Sequence, residues 1–269
     1  MKPIKMLYVG DSGVVVGPII FESPFIVEIK DVYYRNWAKY FIEAINGSGI
    51  EVTHMESIKA YREFPRSYNQ LREYDVIMLS DVSSENIRFY PEFFPIEEVG
   101  ETRILKHGEY LGMPDRLELI RRYVEDGGGL IMAGGWYSYS GRFGQGAWYR
   151  TPVAEALPVE IMEFDDRVEK PTGTRVKAIK PEHPIMRGIP WETCPPLLGY
   201  NKVKPKEKSE VLAVVESGDP LIVVWSYGKG RSMAFTSDPV LHWGINFIKW
   251  EYYKEFWIKA IKWVCKIEQ

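Results

Sequence analysis

The sequence predicts an α/β fold: a doubly wound, mostly parallel sheet with an antiparallel β extension at one edge. Two observations carry this expectation. Up to residue 133, four short apolar runs alternate with helical segments, and parallel neighbours need crossover helices between them. Further on, β-type runs at 210–216, 220–226 and 230–236 are joined by the compact turns Ser217-Gly218-Asp219-Pro220 and Tyr227-Gly228-Lys229-Gly230, the pattern of an antiparallel meander.

In chain order, residues 4–9 read as a buried strand that opens into Gly10-Asp11-Ser12-Gly13. Apolar residues at helical spacing from Val32 to Ile45 predict a helix over 31–45, stopped by Asn46-Gly47. Residues 50–55 form the second strand, 68–73 a short helix, and 76–79 the third strand, which ends at Ser80-Asp81. Residues 84–112 lack clean periodicity and read as an insertion. Pro114-Asp115 starts a helix through Val124, the Gly127–Gly129 triplet ends it, and residues 130–133 form the fourth strand. A short helix at 152–156, a β-type run at 174–180, the meander and a long helix over 246–266 complete a single domain spanning 1–269.

Composition removes several classes of function. With 45% hydrophobic and 26% charged residues the chain buries a real core, and its net charge of -3 gives no global reason to expect nucleic acid or an anionic membrane as partner. Cys194 and Cys265 are the two cysteines and form neither a zinc knuckle nor a disulfide framework, which fits a cytoplasmic setting. The first apolar run breaks at Gly10-Asp11, too early for a signal-peptide core or a membrane span. Scarce glutamine (Gln70, Gln145, Gln269) beside plentiful Lys and Glu leans towards a thermophilic source.

Ligands of open α/β sheets bind outside the carboxyl ends of the strands, at the switch point in strand order. That rule selects Asp11 and Ser12 after the first strand and Asp81 and Ser83 after the third. It also selects Gly134, Gly135, Trp136, Tyr137 and Ser138 after the fourth, and Thr236, Ser237, Asp238 and His242 after the last. Asp and Ser at such positions also cap helices, so each has a bland reading beside the functional one. Arg142, with Tyr137, Tyr139, Trp148 and Tyr149, reads either as the mouth of a site for a carboxylate-bearing or ring-containing molecule or as a subunit interface.

The segment from Asp126 to Gly141, with its triple glycine, apolar strand and Gly134-Gly135 elbow, resembles the class I glutamine amidotransferase-like superfamily, in particular its subfamily of unknown function. Glu182-His183-Pro184-Ile185, Gly188-Ile189-Pro190-Trp191, Tyr227-Gly228-Lys229-Gly230-Arg231, Thr236-Ser237-Asp238 and His242-Trp243-Gly244 support the likeness in order along the chain. The resemblance implies a flavodoxin-like sheet and, in working members, an elbow cysteine activated by a His and a Glu two apart. This sequence has Gly135 and Trp136 at the elbow and no downstream His-x-Glu, so glutaminase activity is not expected.

Three functions stay open. The first is a small-molecule-binding protein, needing no cofactor. The second is a hydrolase using His242 with Asp238 as general base, with Asp11 and Asp81 near enough in the expected fold to complete a divalent-metal site. The third is an oligomeric scaffold whose aromatic surplus at 86–96 and 136–149 is buried between subunits; a homo-oligomer is expected in any case.

Overall fold

The computed structural model describes residues 2–17, 19–23, 26–93 and 112–267. Its centre is a sheet of eight strands: β1 (Ile4–Gly10), β2 (Ile50–Met55), β3 (Val76–Ser80), β4 (Gly129–Ala133), β5 (Val176–Ala178), β6 (Glu210–Val215), β7 (Pro220–Tyr227) and β8 (Gly230–Phe235). Their spatial order is β5-β6-β7-β8-β4-β3-β1-β2. The pairs β2/β1, β1/β3, β3/β4 and β4/β8 are parallel, while β8/β7, β7/β6 and β6/β5 are antiparallel. This is a flavodoxin-like α/β fold with an antiparallel extension at one edge, and its strand order reverses between β1 and β3.

Alternation along the strands separates two apolar layers. Met6 and Tyr8 of β1 face one layer and Leu7 and Val9 the other, all buried. The first layer is closed by α1 (Ala38–Ile45) and by a later helix, Tyr253–Val264. The second is closed by α2 (Ser57–Glu63), α3 (Tyr68–Leu71), α4 (Ser84–Arg88), α5 (Arg116–Glu125) and α6 (Pro152–Ala156), and the Tyr253–Val264 helix is α7. Phe256, Trp257, Ile261 and Val264 of α7 are all buried, each worth roughly 1.5–3 kcal/mol of apolar transfer. At the start of α5, Asp115 accepts the amides of Leu117 and Glu118 at 2.9 and 3.3 Å, a side-chain cap as the sequence predicts.

Two expectations need correction. The helix expected over 31–45 begins only at Ala38, because Val32–Asn36 is a strand paired antiparallel with Ser12–Val16. Its β-branched and aromatic residues favour that ladder, and the helix start is fixed instead by the Asp11 carbonyl, which accepts the amides of Trp37 and Ala38 at 2.8 and 3.1 Å. The helix expected over 246–266 is a 3-10 turn (Phe247–Lys249) followed by α7. Between them Trp250 takes an extended backbone (φ -73°, ψ 133°), packs on Trp191 and donates its indole N–H to Thr193 Oγ1 at 3.0 Å. Two further ribbons, Arg167–Thr174 with Leu197–Asn201 and Val159–Ile161 with Val203–Pro205, pair residues too distant in sequence for local pattern to reveal. In the segment read as an insertion, Ile87 and Tyr90 are buried, and residues 94–111 lie outside the described residues.

Candidate functional site

At the switch point, β1 and β3 run side by side and each is followed by an aspartate at φ 46°, Asp11 and Asp81. This is the left-handed backbone region, which aspartate tolerates better than most residues. Asp11 donates its amide to Ser80 O at 3.0 Å, Tyr8 donates its hydroxyl to Asp11 Oδ2, and Oδ1 has no hydrogen-bond partner. Asp81 donates its amide to Ser138 Oγ at 2.9 Å and accepts the amide of Tyr137 on Oδ1 at 2.7 Å. Thus Ser138 supports Asp81 from a buried position.

Asp238, following β8, joins them from the other side. It is fully buried, accepts the Val240 amide on Oδ1 at 3.0 Å, and has Oδ2 without a hydrogen bond, 3.7 Å from His242 Nδ1. Burial pushes Asp11 up to about 7, with the Asp81 charge adding to it. Burial also lifts Asp81 to about 6 against the opposing pull of the Tyr137 and Trp136 amides. Asp238 is raised well above the carboxylate range by burial and then by Asp11 and Asp81. His242 is pulled down by burial, partly offset by Glu169, and its ring packs edge-on to Trp136 with centroids 4.9 Å apart.

The elbow after β4 is filled by backbone. A Cβ on Gly134 would lie 2.2 Å from Thr236 O, and one on Gly135, at φ 151°, would lie 2.6 Å from Asp81 Oδ1. Buried Asn201 clamps this turn, accepting the Gly135 amide at 2.9 Å and donating to Gly135 O at 3.1 Å and to Asp166 Oδ1 at 2.8 Å. Burial raises Asp166 to about 6, opposed by hydrogen bonds from Asn201, Ser140 and Gly141.

Above these strand ends opens a cleft of about 900 Å³ lined by Ser12, Asp81, Ser83, Trp136, Tyr137 and His242 of the sequence-selected residues. Asp11 and Asp238 lie buried below it; Gly134 and Gly135 shape the turn; Thr236 and Ser237 are buried in the last strand's exit. Arg142 lies outside the lining, its guanidinium 4.7 Å from the Trp136 ring centroid. Tyr139 and Trp148 are buried within the chain and donate to Met132 O and Val82 O at 3.0 and 2.9 Å. Sequence reasoning missed Trp37, Ser57, Glu85 and Asn86, which also line the cleft. Ser57 and Asn86 belong to helices after β2 and β3, so the strand-end rule reaches them once α2 and α4 are recognised.

Neither cysteine belongs to the cleft. Burial pushes both thiols up to about 12, with Asp75 adding to the effect at Cys265. Among the described residues no group of three or more His, Cys, Asp or Glu is arranged to hold a metal ion, and no helix is long and apolar enough to cross a membrane.

Residues 5–266 match the family model described as "Putative glutamine amidotransferase". The chain belongs to this family. A solved structure described as a cytoplasmic protein from Salmonella typhimurium is 30% identical with a TM-score of 0.86, the match covering 97% of this chain and 99% of the other. A second, from Salmonella typhimurium LT2 and also described as a cytoplasmic protein, is 34% identical with a TM-score of 0.84 over the same shares. A "Putative thua-like protein" from Bacteroides uniformis shares the fold at 14% identity, with a TM-score of 0.58 over 99% of this chain and 93% of its own. No curated protein matches the sequence. Within the glutamine amidotransferase-like family this chain departs from the Cys-His-Glu pattern at the elbow itself, where backbone and the Asp81 carboxyl occupy the space of a side chain.

Proposed function

We propose that this member of the family is a cytoplasmic small-molecule-binding protein without cysteine-dependent glutaminase activity, and that its ligand sits in the cleft over Asp81, Trp136 and His242. The observation that carries the reading is the packed elbow: Gly134 and Gly135 have no room for a nucleophile beneath a cleft that is otherwise open. The two Salmonella relatives described as cytoplasmic proteins support the compartment. Exposed Val14, Val16 and Val32 on the Ser12–Val16/Val32–Asn36 ribbon favour a homo-oligomer. A second reading, a hydrolase, is favoured by the unpaired Asp238 Oδ2 facing His242, although 3.7 Å exceeds a hydrogen bond.

The test is a thermal-shift screen of a metabolite library, run beside an ammonia-release assay with L-glutamine. The expected result is no ammonia, and at least one compound that raises Tm for the wild type and not for Trp136→Ala. Ammonia release above blank, or stabilising compounds that Trp136→Ala still binds equally, would remove the reading.

A further inference from the structure

Resting on the cleft being the ligand site, we infer that it takes a compact organic cation, a protonated amine or guanidinium, in preference to an anion or a neutral alcohol. Two carboxylates, Asp81 and Glu85, stand in the lining with the aromatic side chains of Trp37, Trp136 and Tyr137. Among the described residues no lysine or arginine lines it. The cations nearby are engaged elsewhere: Lys59 pairs with Glu56 at 3.0 Å and Arg167 with Asp165 at 2.7 Å. Arg142 stacks on Trp136 and Phe143.

Beneath the floor lie two more carboxyls, Asp11 and Asp238. Asp11 Oδ1 and Asp238 Oδ2 are buried without hydrogen bonds, and Asp238 Oδ2 faces His242, which lines the cleft. Burial holds the His242 imidazolium down, so the ring brings no compensating charge at neutral pH. Asp11, Asp81 and Asp238 resist ionisation because they are buried and share a region with like charges, and a cation above them favours their ionised forms. An anion sets its charge beside Asp81 and Glu85 and opposes ionisation of the buried carboxyls still further. A neutral alcohol finds hydroxyl partners in Ser12 and Ser57 but leaves the carboxyls uncompensated, whereas an ammonium also gains from the indole and phenol faces.

The full-length protein is titrated at pH 8 with benzylammonium, benzyl alcohol and benzoate, which share one ring and differ in charge, with binding followed by ligand-observed NMR and calorimetry. Benzylammonium is expected to bind about ten-fold more tightly than benzyl alcohol, with benzoate weakest. Asp81→Asn keeps the Oδ1 acceptor for the Tyr137 amide, and exposed Glu85→Gln leaves the fold untouched; together they should bring the ammonium and the alcohol within about three-fold of each other. Equal binding of ammonium and alcohol, both lost in Trp136→Ala, overturns the cation inference and keeps the cleft. Preference for benzoate, or no binding of any of the three, overturns the inference as well. Benzylammonium binding that survives Trp136→Ala and both carboxyl variants overturns the inference and the cleft reading together.

Discussion

The ends of β1 and β3 and the end of β4 solve one problem in two ways. All three strands leave the sheet through left-handed or otherwise crowded backbone, at Asp11 and Asp81 (φ 46° each) and at Gly134-Gly135. At β1 and β3 the strain is carried by aspartates, whose carboxyls remain beside the switch point. At β4 the neighbouring Thr236 carbonyl and the Asp81 carboxyl come so close that only glycine fits. The β4 elbow holds packed backbone at Gly134 and Gly135 and an indole at Trp136, and the ionisable groups stand on the adjacent strands. Chemistry in this fold belongs to the crevice as a whole, not to one strand end.

Putting a side chain back at the elbow breaks this contrast most severely. Gly134→Ala drives a Cβ to 2.2 Å from the Thr236 carbonyl just past the last strand, and Gly135→Cys adds positive-φ strain to a clash with Asp81. Each should cost roughly 3–5 kcal/mol in urea denaturation. Gly13→Ala serves as the control, since its Cβ would meet nothing closer than Trp37 at 3.7 Å. A Gly135→Cys protein as stable as wild type would mean that the elbow has room for a side chain, and ammonia release from glutamine by that variant would mean that the elbow supports amidotransferase chemistry.

The second test concerns the aspartates. Asp11 has its pKa raised from 3.8 to about 7, so between about pH 4 and 7 the folded state binds more protons than the unfolded chain. Stability linked to Asp11 is therefore fullest below pH 4, declines as pH rises through 7 and is then flat. The groups facing it are Tyr8 and Tyr253, both raised, together with Asp81 and Asp238. Asp11→Asn keeps an acceptor for the Tyr8 hydroxyl and removes the titration, and should be more stable than wild type at pH 8 by roughly 2–4 kcal/mol, with the gap closing towards pH 4. Parallel denaturation curves at pH 5 and 8 measure it; an unchanged pH slope would place the Asp11 carboxyl in contact with water.

The strand ends were legible in the sequence because Gly, Asp and Ser interrupt apolar runs there, and the parallel order follows from alternating strands and helices. The three aspartates of the crevice were among the selected residues, as were Trp136 and Tyr137 of its aromatic rim, whereas Trp37 was not. What stayed hidden depends on partners far along the chain. Val32–Asn36 has helical spacing on paper, yet Ser12–Val16 pairs with it. Asn201, which clamps the elbow, sits in a ribbon whose other strand begins at Arg167, and no local signal marks an asparagine whose two hydrogen-bonding ends both meet residue 135. Arg142 stands close to the elbow in sequence, but the Gly141–Gly144 turn lays it against the Trp136 ring and outside the cleft lining.

That placement gives the smallest and most discriminating test. A half-exposed guanidinium stacked on an indole contributes about 0.5–1 kcal/mol. Arg142→Ala should therefore lower stability by no more than that and change the affinity of a cleft ligand less than about three-fold. Arg167 reaches the same ring at 5.3 Å from its centroid, and Glu169 accepts the Trp136 indole N–H at 3.2 Å, so Trp136 keeps two supports when Arg142 is lost. An anion-recognising elbow requires the opposite: Arg142 is the nearest arginine in sequence to the turn, and its removal would cut binding of any carboxylate ligand ten-fold or more by the strength of charge-assisted pairing, roughly 2 kcal/mol. Titration of Arg142→Ala with whatever compound the wild-type screen yields separates the two, because a small change leaves the acidic strand ends as the ligand's charge partner and a large one moves that role back to the elbow.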